Sequence, residues 1–232
     1  MNHEYADKLI TLLKQHQNSK NQEAMEAYMR NQFRFFGIRT PERTTLLRDF
    51  LKENGKPSIE ELPAIVHSLW SEPQRECQYV ALGLIDKQSK YLTKEHLPLL
   101  EEMIVTKSWW DTIDHIAPNQ VGKIFQKEED DTYIEKWIHS DNMWLNRIAI
   151  LYQLKYKAKT DEERLFRYIV MHHQSKEFFI QKAIGWALRE YSKTNPEAVK
   201  SFIQSEELAP LSKREGLKHV NRKAKAEKTV KQ

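Results

Sequence analysis

Cysteine, glycine and long apolar runs are what this sequence has least of. One thiol, Cys77, stands among 232 residues, so no disulfide can close within the chain, in keeping with a reducing, cytoplasmic setting. Six glycines leave no Gly-x-Gly-x-x-Gly run, and Gly122-Lys123 lacks the rest of a Walker-type loop, so nothing signals a nucleotide-binding sheet. The Gly-rich turn of helix-hairpin-helix proteins is missing too. With a single thiol and no His-Glu-x-x-His, the usual zinc patterns are excluded. No apolar stretch approaches the ~18 residues of a membrane helix. Residues 1–17 read as an amphipathic helix and not a signal peptide, because Glu4, Asp7 and Lys8 interrupt the apolar positions.

Charge, by contrast, is plentiful and unevenly spread. Charged residues make up 30% of the chain, and the formal net charge is +4. Between 213 and 231 there are eight Lys or Arg against two Glu. This stretch more than accounts for the net charge, and the rest of the chain is slightly acidic. Nucleic-acid binding would therefore need basic groups gathered on one face. Residues 221–232 read as a basic, solvated tail, with a phosphate-binding arm as the alternative.

Helix signals recur along the whole length. Thr40-Pro41 places an N-cap before a proline, and Ser71-Glu72-Pro73 opens another helix. Ser58 with Glu61, Thr160 with Glu163, Thr194 with Glu197 and Ser212 with Glu215 have capping-box spacing. About twelve helices of about 10–16 residues are expected, joined by short polar turns. Trp109, Trp144 and Phe179 are each 35 residues apart, and Trp110, Leu145 and Ile180 follow in register, as do Ile113, Ile148 and Ala183. A period near ~35–45 with two helices per unit marks an α-solenoid of the HEAT or armadillo kind, with a concave binding face. Helices over 143–156 and 178–191 are apolar almost all round and should be buried. Arg147, Lys182 and Arg189 lie inside them and either snorkel to the surface or line the groove.

Candidate chemistry is confined to few places. His172 and His173 are adjacent, point to different helix faces and read as surface residues. Cys77 sits among Tyr79, Val80 and Leu82 as a small core residue. The stretch Thr106-Lys107-Ser108-Trp109-Trp110-Asp111-Thr112-Ile113-Asp114 is different. Trp110 and Asp114 are one turn apart on one face. Asp111 is explained by the macrodipole of a first helical turn, whereas Asp114, a turn deeper, is not.

These residues carry a resemblance. Segments 36–43, 104–114, 140–147, 175–191 and 208–215 are similar, in unbroken order over roughly 5–220, to the AlkD family of DNA alkylation-repair glycosylases. The resemblance implies one all-α, HEAT-like superhelical domain over 1–220 whose concave face takes double-stranded DNA. It implies removal of N3- and N7-alkylated purines with no metal or other cofactor, by a monomer with no obligatory protein partner. Asp114 would be the catalytic carboxylate, Trp110 and Trp186 the aromatic walls beside the lesion, Arg147 a phosphate-anchoring cation, and Tyr28 a supporting residue. Thr40, Arg43, Lys155, Lys182, Arg189 and Lys193 are further candidates for DNA contact. The family pattern further implies that the lesion stays stacked, against the base flipping of most such enzymes.

The residue types suit that chemistry. Alkylation at N3 or N7 makes the base cationic and a ready leaving group, so no strong acid is required. A carboxylate near the sugar stabilises the positive charge that builds there and can direct the attacking water. Tryptophan faces attract cations. No lysine stands in the constellation to supply a lyase step. The competing expectations are a non-catalytic HEAT-repeat protein that binds damaged or distorted DNA, and a protein-interaction scaffold. A scaffold would need neither the paired tryptophans nor the carboxylate.

Overall fold

A computed structural model describes residues 2–128 and 130–222; most of the basic tail lies outside these. Among the described residues the protein is all-α, with fourteen α-helices and one isolated parallel bridge, Arg34 to Gln74. No helix among them is long and apolar enough to cross a membrane. The helices number two more than the spacing suggests, and several are shorter. One reason is local: α7 (Trp110–Ile116) runs into a π-helical turn, Ala117–Val121, before α8 (Gly122–Phe125). Pro118 has no N–H to give the carbonyl of Asp114 four residues earlier, so the ladder widens there.

The chain packs as two compact units, with the boundary between Leu92 and Thr93. The first contains α1 (Asn2–Gln15), α2 (Ser19–Tyr28), α3 (Thr40–Asn54), α4 (Leu62–Ser71) and α5 (Arg75–Lys87). Ala6, Leu9 and Leu13 of α1 are buried at helical spacing, and α1 packs on α4 and α3. The loop before α3 is fixed by Glu76, which is fully buried. Its carboxylate accepts the backbone N–H groups of Phe36 (2.9 Å), Gly37 (2.9 Å) and Ile38 (3.0 Å). Gly37 has φ +89°, and a Cβ there would lie 2.0 Å from the Asn18 carbonyl oxygen, so only glycine fits. Cys77 is buried, as expected.

The second unit is a run of helix pairs. α6 (Leu97–Val105) precedes α7; α9 (Thr132–Ile138) precedes α10 (Met143–Leu151); α11 (Glu162–His172) precedes α12 (Phe178–Tyr191); α13 (Pro196–Ser205) precedes α14 (Pro210–Gly216). Leading helices stack on leading helices. Trp137 Nε1 and Lys136 Nζ of α9 donate to Glu101 of α6 at 2.9 and 2.7 Å. The Tyr168 hydroxyl of α11 donates to Glu135 of α9 at 2.6 Å, and Phe166 stacks on Phe202 of α13 at 4.1 Å. Following helices form the other row, α10 packing on α7 and α12, and α12 on α14. The partners in these interactions lie about one repeat apart in sequence, which is how a helical repeat array buries its core.

A repeated device closes the leading helices. The fourth residue of α5, α10 and α12 is an amide, respectively Gln78, Asn146 and Gln181. Asn146 Nδ2 donates to the carbonyls of Trp137, Ile138 and Ser140 at 2.9–3.2 Å. Gln78 Nε2 does the same for Leu69, Trp70 and Glu72, and Gln181 reaches the Ser175 carbonyl. These amides satisfy carbonyls that a helix end leaves orphaned. Asn146→Leu keeps the volume and strands those buried acceptors. It is expected to cost about 1–3 kcal/mol, read as a lower denaturation midpoint with an unchanged slope; an unchanged midpoint would refute the role.

The N-terminal caps differ from the sequence expectation at several helices: α3 is capped by Arg39, with Thr40 as its first helical residue, and α5 starts at Arg75 after Gln74, whereas Ser71 ends α4. Ser58 and Glu61 do form a reciprocal box. Two of the other boxes cap one residue later, through the next side-chain oxygen: Asp161 for Thr160, bonding Arg164 N at 3.0 Å, and Asn195 for Thr194, bonding Ala198 N at 3.2 Å. Ser212 and Glu215 are inside α14 and buried. His172 is half-buried and bonds the Ile138 carbonyl, so it is not simply a surface residue.

Candidate active site

The site grows out of the turn between α6 and α7. Lys107 takes a left-handed conformation, φ 48°, and the Ser108 hydroxyl donates to the Ile104 carbonyl at 2.6 Å. Trp109 is extended (φ −159°, ψ 160°), and α7 starts at Trp110. The two tryptophans thus belong to different structures. Trp109 packs with Trp144 at 6.0 Å and Phe179 at 5.3 Å, and these two lie 4.9 Å apart. The three positions spaced by 35 in sequence meet as one aromatic cluster, with the offset and edge-on geometry such rings favour. Trp110 is half-buried at the head of α7, and Asp114 follows one turn later.

Asp114 is held by Arg147 from α10. Arg147 Nε donates to Oδ1 at 2.7 Å and Nη2 to Oδ2 at 2.9 Å, the fork geometry that makes guanidinium–carboxylate pairs strong and directional. Arg147 Nη1 donates to the Phe179 carbonyl. One guanidinium therefore ties α7, α10 and α12 together beside the aromatic cluster. Its side chain is 4% exposed, while that of Asp114 is 20% exposed. The cation is enclosed and the carboxylate reaches solvent. Burial pushes the Asp114 carboxyl above the ordinary carboxylate range. Arg147 pulls it back by hydrogen bond and charge, and Asp111 adds to the upward push. An ionised carboxylate in this setting accepts hydrogen bonds and opposes positive charge.

The remaining candidates distribute as follows. Trp186 is half-buried on α12, seven residues beyond Phe179 and about 10 Å further along the axis. Lys155 donates to Asn119 Oδ1 at 2.6 Å. Lys193 pairs with Glu190 at 2.6 Å. Lys182 and Arg189 both reach Glu215 of α14, at 3.2 and 3.1 Å. In the first unit, Tyr28 ends α2 and is exposed. Thr40 opens α3 and accepts from Arg43 at 3.3 Å, and the Arg43 guanidinium lies over the Tyr79 ring at 4.4 Å.

Two features escape the sequence reading. Arg147 looks there like an open hand for phosphate, whereas the structure commits its guanidinium to Asp114 and to a main-chain carbonyl. Glu215 reads there as half of a capping box, whereas it gathers Lys182 and Arg189 of α12 together with Lys218. A charged residue at an otherwise apolar helix position is the only sequence signal for the first, and a glycine facing it, Gly185, for the second.

Comparison with known proteins agrees with this architecture. No curated protein matches the sequence. A solved structure described as a predicted DNA alkylation repair enzyme from Enterococcus faecalis superposes with a TM-score of 0.82 at 35% identity, covering 88% of this chain and 96% of that one. The model of the DNA alkylation repair enzyme family matches residues 9–220, a span that takes in both packed units and every candidate residue above. With its helix pairs, its Asp114–Arg147 pair and this match over nearly its whole length, the chain belongs to the DNA alkylation repair enzyme family.

Proposed function

We propose that the protein is a monofunctional DNA glycosylase that hydrolyses the N-glycosidic bond of cationic N3- and N7-alkylated purines in duplex DNA, acting as a monomer. The observation that carries this reading is the Asp114 carboxylate, fixed bidentately by a buried arginine yet open to solvent, one turn beyond Trp110. A carboxylate so held cannot swing away, and it faces developing positive charge at no cost of reorganisation. Asp114 stabilises the deoxyribose as the base departs and orients the attacking water. Trp110 and Trp186 offer electron-rich faces to the cationic lesion, each contributing about 0.5–2 kcal/mol. Arg147 serves the carboxylate first; any phosphate contact falls to its other N–H groups. Tyr28, Thr40, Arg43, Lys155, Lys182, Arg189 and Lys193 are assigned to supporting the duplex. The lesion is attacked while still stacked, so bulky adducts are tolerated.

Base release from a duplex carrying a single N7-methylguanine tests the reading. Free base is expected without strand scission, and none from a duplex carrying a neutral lesion, whose leaving group is not activated. Duplex binding with no release of the methylated base would sink the enzymatic reading in favour of damage sensing.

A further inference from the structure

On α12, Lys182, Trp186 and Arg189 follow one another at spacings of four and three, which places them on one stripe of the helix, and Lys193 lies in the turn just past its end. Facing this helix is Glu215 of α14. Its Oε1 lies 3.2 Å from Lys182 Nζ and 2.7 Å from Lys218 Nζ, and its Oε2 lies 3.1 Å from an Arg189 guanidinium nitrogen. Lys193 pairs separately with Glu190.

The exposures divide sharply. The Glu215 side chain is 7% exposed, whereas Lys182, Arg189 and Lys218 are 37%, 34% and 50% exposed. Gly185 makes the arrangement possible, since a Cβ there would lie 2.4 Å from Glu215 Cβ. The acid is thus wedged against α12 one residue before Trp186, and the cations it holds face outward. Charge balance alone would need one cation. Three cations on one acid leave two positive charges uncompensated, on side chains whose long stems are already fixed. Lys218 first, then Lys182, keep Glu215 ionised further into acid than an ordinary glutamate despite its burial.

We propose that Glu215 is a positioning residue. It sets Lys182 and Arg189 on either side of Trp186, with Lys218 beyond the end of α14, as a ready-made clamp for backbone phosphates of the duplex. The inference rests on the glycosylase reading above. Its physical advantage is preorganisation: flexible side chains ordered before binding lose less freedom when phosphate arrives.

The expected sign is unusual. Deleting a negative charge near DNA should tighten binding if only the field matters. If Glu215 positions its cations, Glu215→Gln instead weakens binding. The experiment titrates a short undamaged duplex against the full-length protein at several salt concentrations. In Glu215→Gln, affinity is expected to fall by about 3–10-fold, and the slope of log K against log salt to become shallower by about 0.9 for each phosphate no longer neutralised. Lys218→Ala, on the solvent side, gives a fold-independent check: it should lower affinity in the wild-type background and have no further effect beside Glu215→Gln. Equal or tighter binding by Glu215→Gln, or independent effects in the double variant, would overturn the proposal while leaving the glycosylase intact. Failure of the wild type to bind duplex at low salt would overturn both.

Discussion

Asp114→Asn is expected to lower base release from an N7-methylguanine duplex by about 10²–10⁴-fold, with affinity for the undamaged duplex kept within about two-fold because no phosphate-binding group is removed. The amide still accepts one hydrogen bond from Arg147, so the side chain stays in place while its charge is lost. Single-turnover kinetics separate this from a binding defect. A variant that releases base at near wild-type rate would remove Asp114 from the chemistry. The pH dependence follows from the setting of the carboxylate. Burial makes the folded Asp114 hold its proton above the ordinary value of 3.8, so activity should rise along a limb lying at higher pH than for a free aspartate. The sign for stability is the opposite: the benefit of the bound proton is present below 3.8 and is lost as pH rises through the raised folded pKa. Arg147→Met removes the group that pulls the carboxyl down, so the limb should move further up in pH while the rate falls. A limb that stays put would mean the pair does not tune the carboxylate.

Glu76→Ala should have the largest effect on stability of any single change in the first unit. Three successive backbone N–H groups converge on that carboxylate, an anion-holding concavity made by the chain itself. Without the acid, three donors around a fully buried position lose their partner, each at about 1–3 kcal/mol. A total above about 4 kcal/mol consumes much of a domain's stability. Glu76→Gln is expected to be only slightly milder, since its NH₂ faces donors. Circular dichroism melts, with hydrogen exchange at residues 36–38, would register the loss. A melting temperature within about 2 °C of wild type would show that the loop is held by something else. Because this loop runs directly into Thr40 and Arg43, weakened duplex affinity should accompany partial unfolding.

What could be read from the sequence was what depends on period. The spacing of Trp109, Trp144 and Phe179 announced stacked repeats, and the three rings do touch. Helix existence followed from composition and proline placement. Cap positions did not, because Thr160-Asp161 and Thr194-Asn195 each offer two adjacent capping residues, and which one wins depends on where the helix packs. The pairing of Asp114 with Arg147 spans 33 residues and crosses between repeats, so no local pattern encodes it. The repeat does say that Asp114 and Arg147 fall at nearby levels of successive units; only packing shows that the arginine turns inward. The capping amides Gln78, Asn146 and Gln181 are plain in the sequence, two of them being 35 residues apart, but their roles emerge only once helix starts are known.

The ladder of interactions in the second unit also bears on how the chain assembles. Its cross-repeat hydrogen bonds, from Trp137 to Glu101 and from Arg147 to Asp114, span 36 and 33 residues, and others in the ladder are of the same order. Each docking step therefore closes a loop of nearly constant length, and closure cost grows only as the logarithm of that length. Assembly becomes a series of similar, modest steps, with no single large entropic toll, and any adjacent pair of repeats can begin it. The reverse holds under load. A pull on the C-terminal end would meet the helix pairs α13–α14, α11–α12 and α9–α10 in turn, and freeing α12 would first have to break the bond from the Arg147 guanidinium to the Phe179 carbonyl.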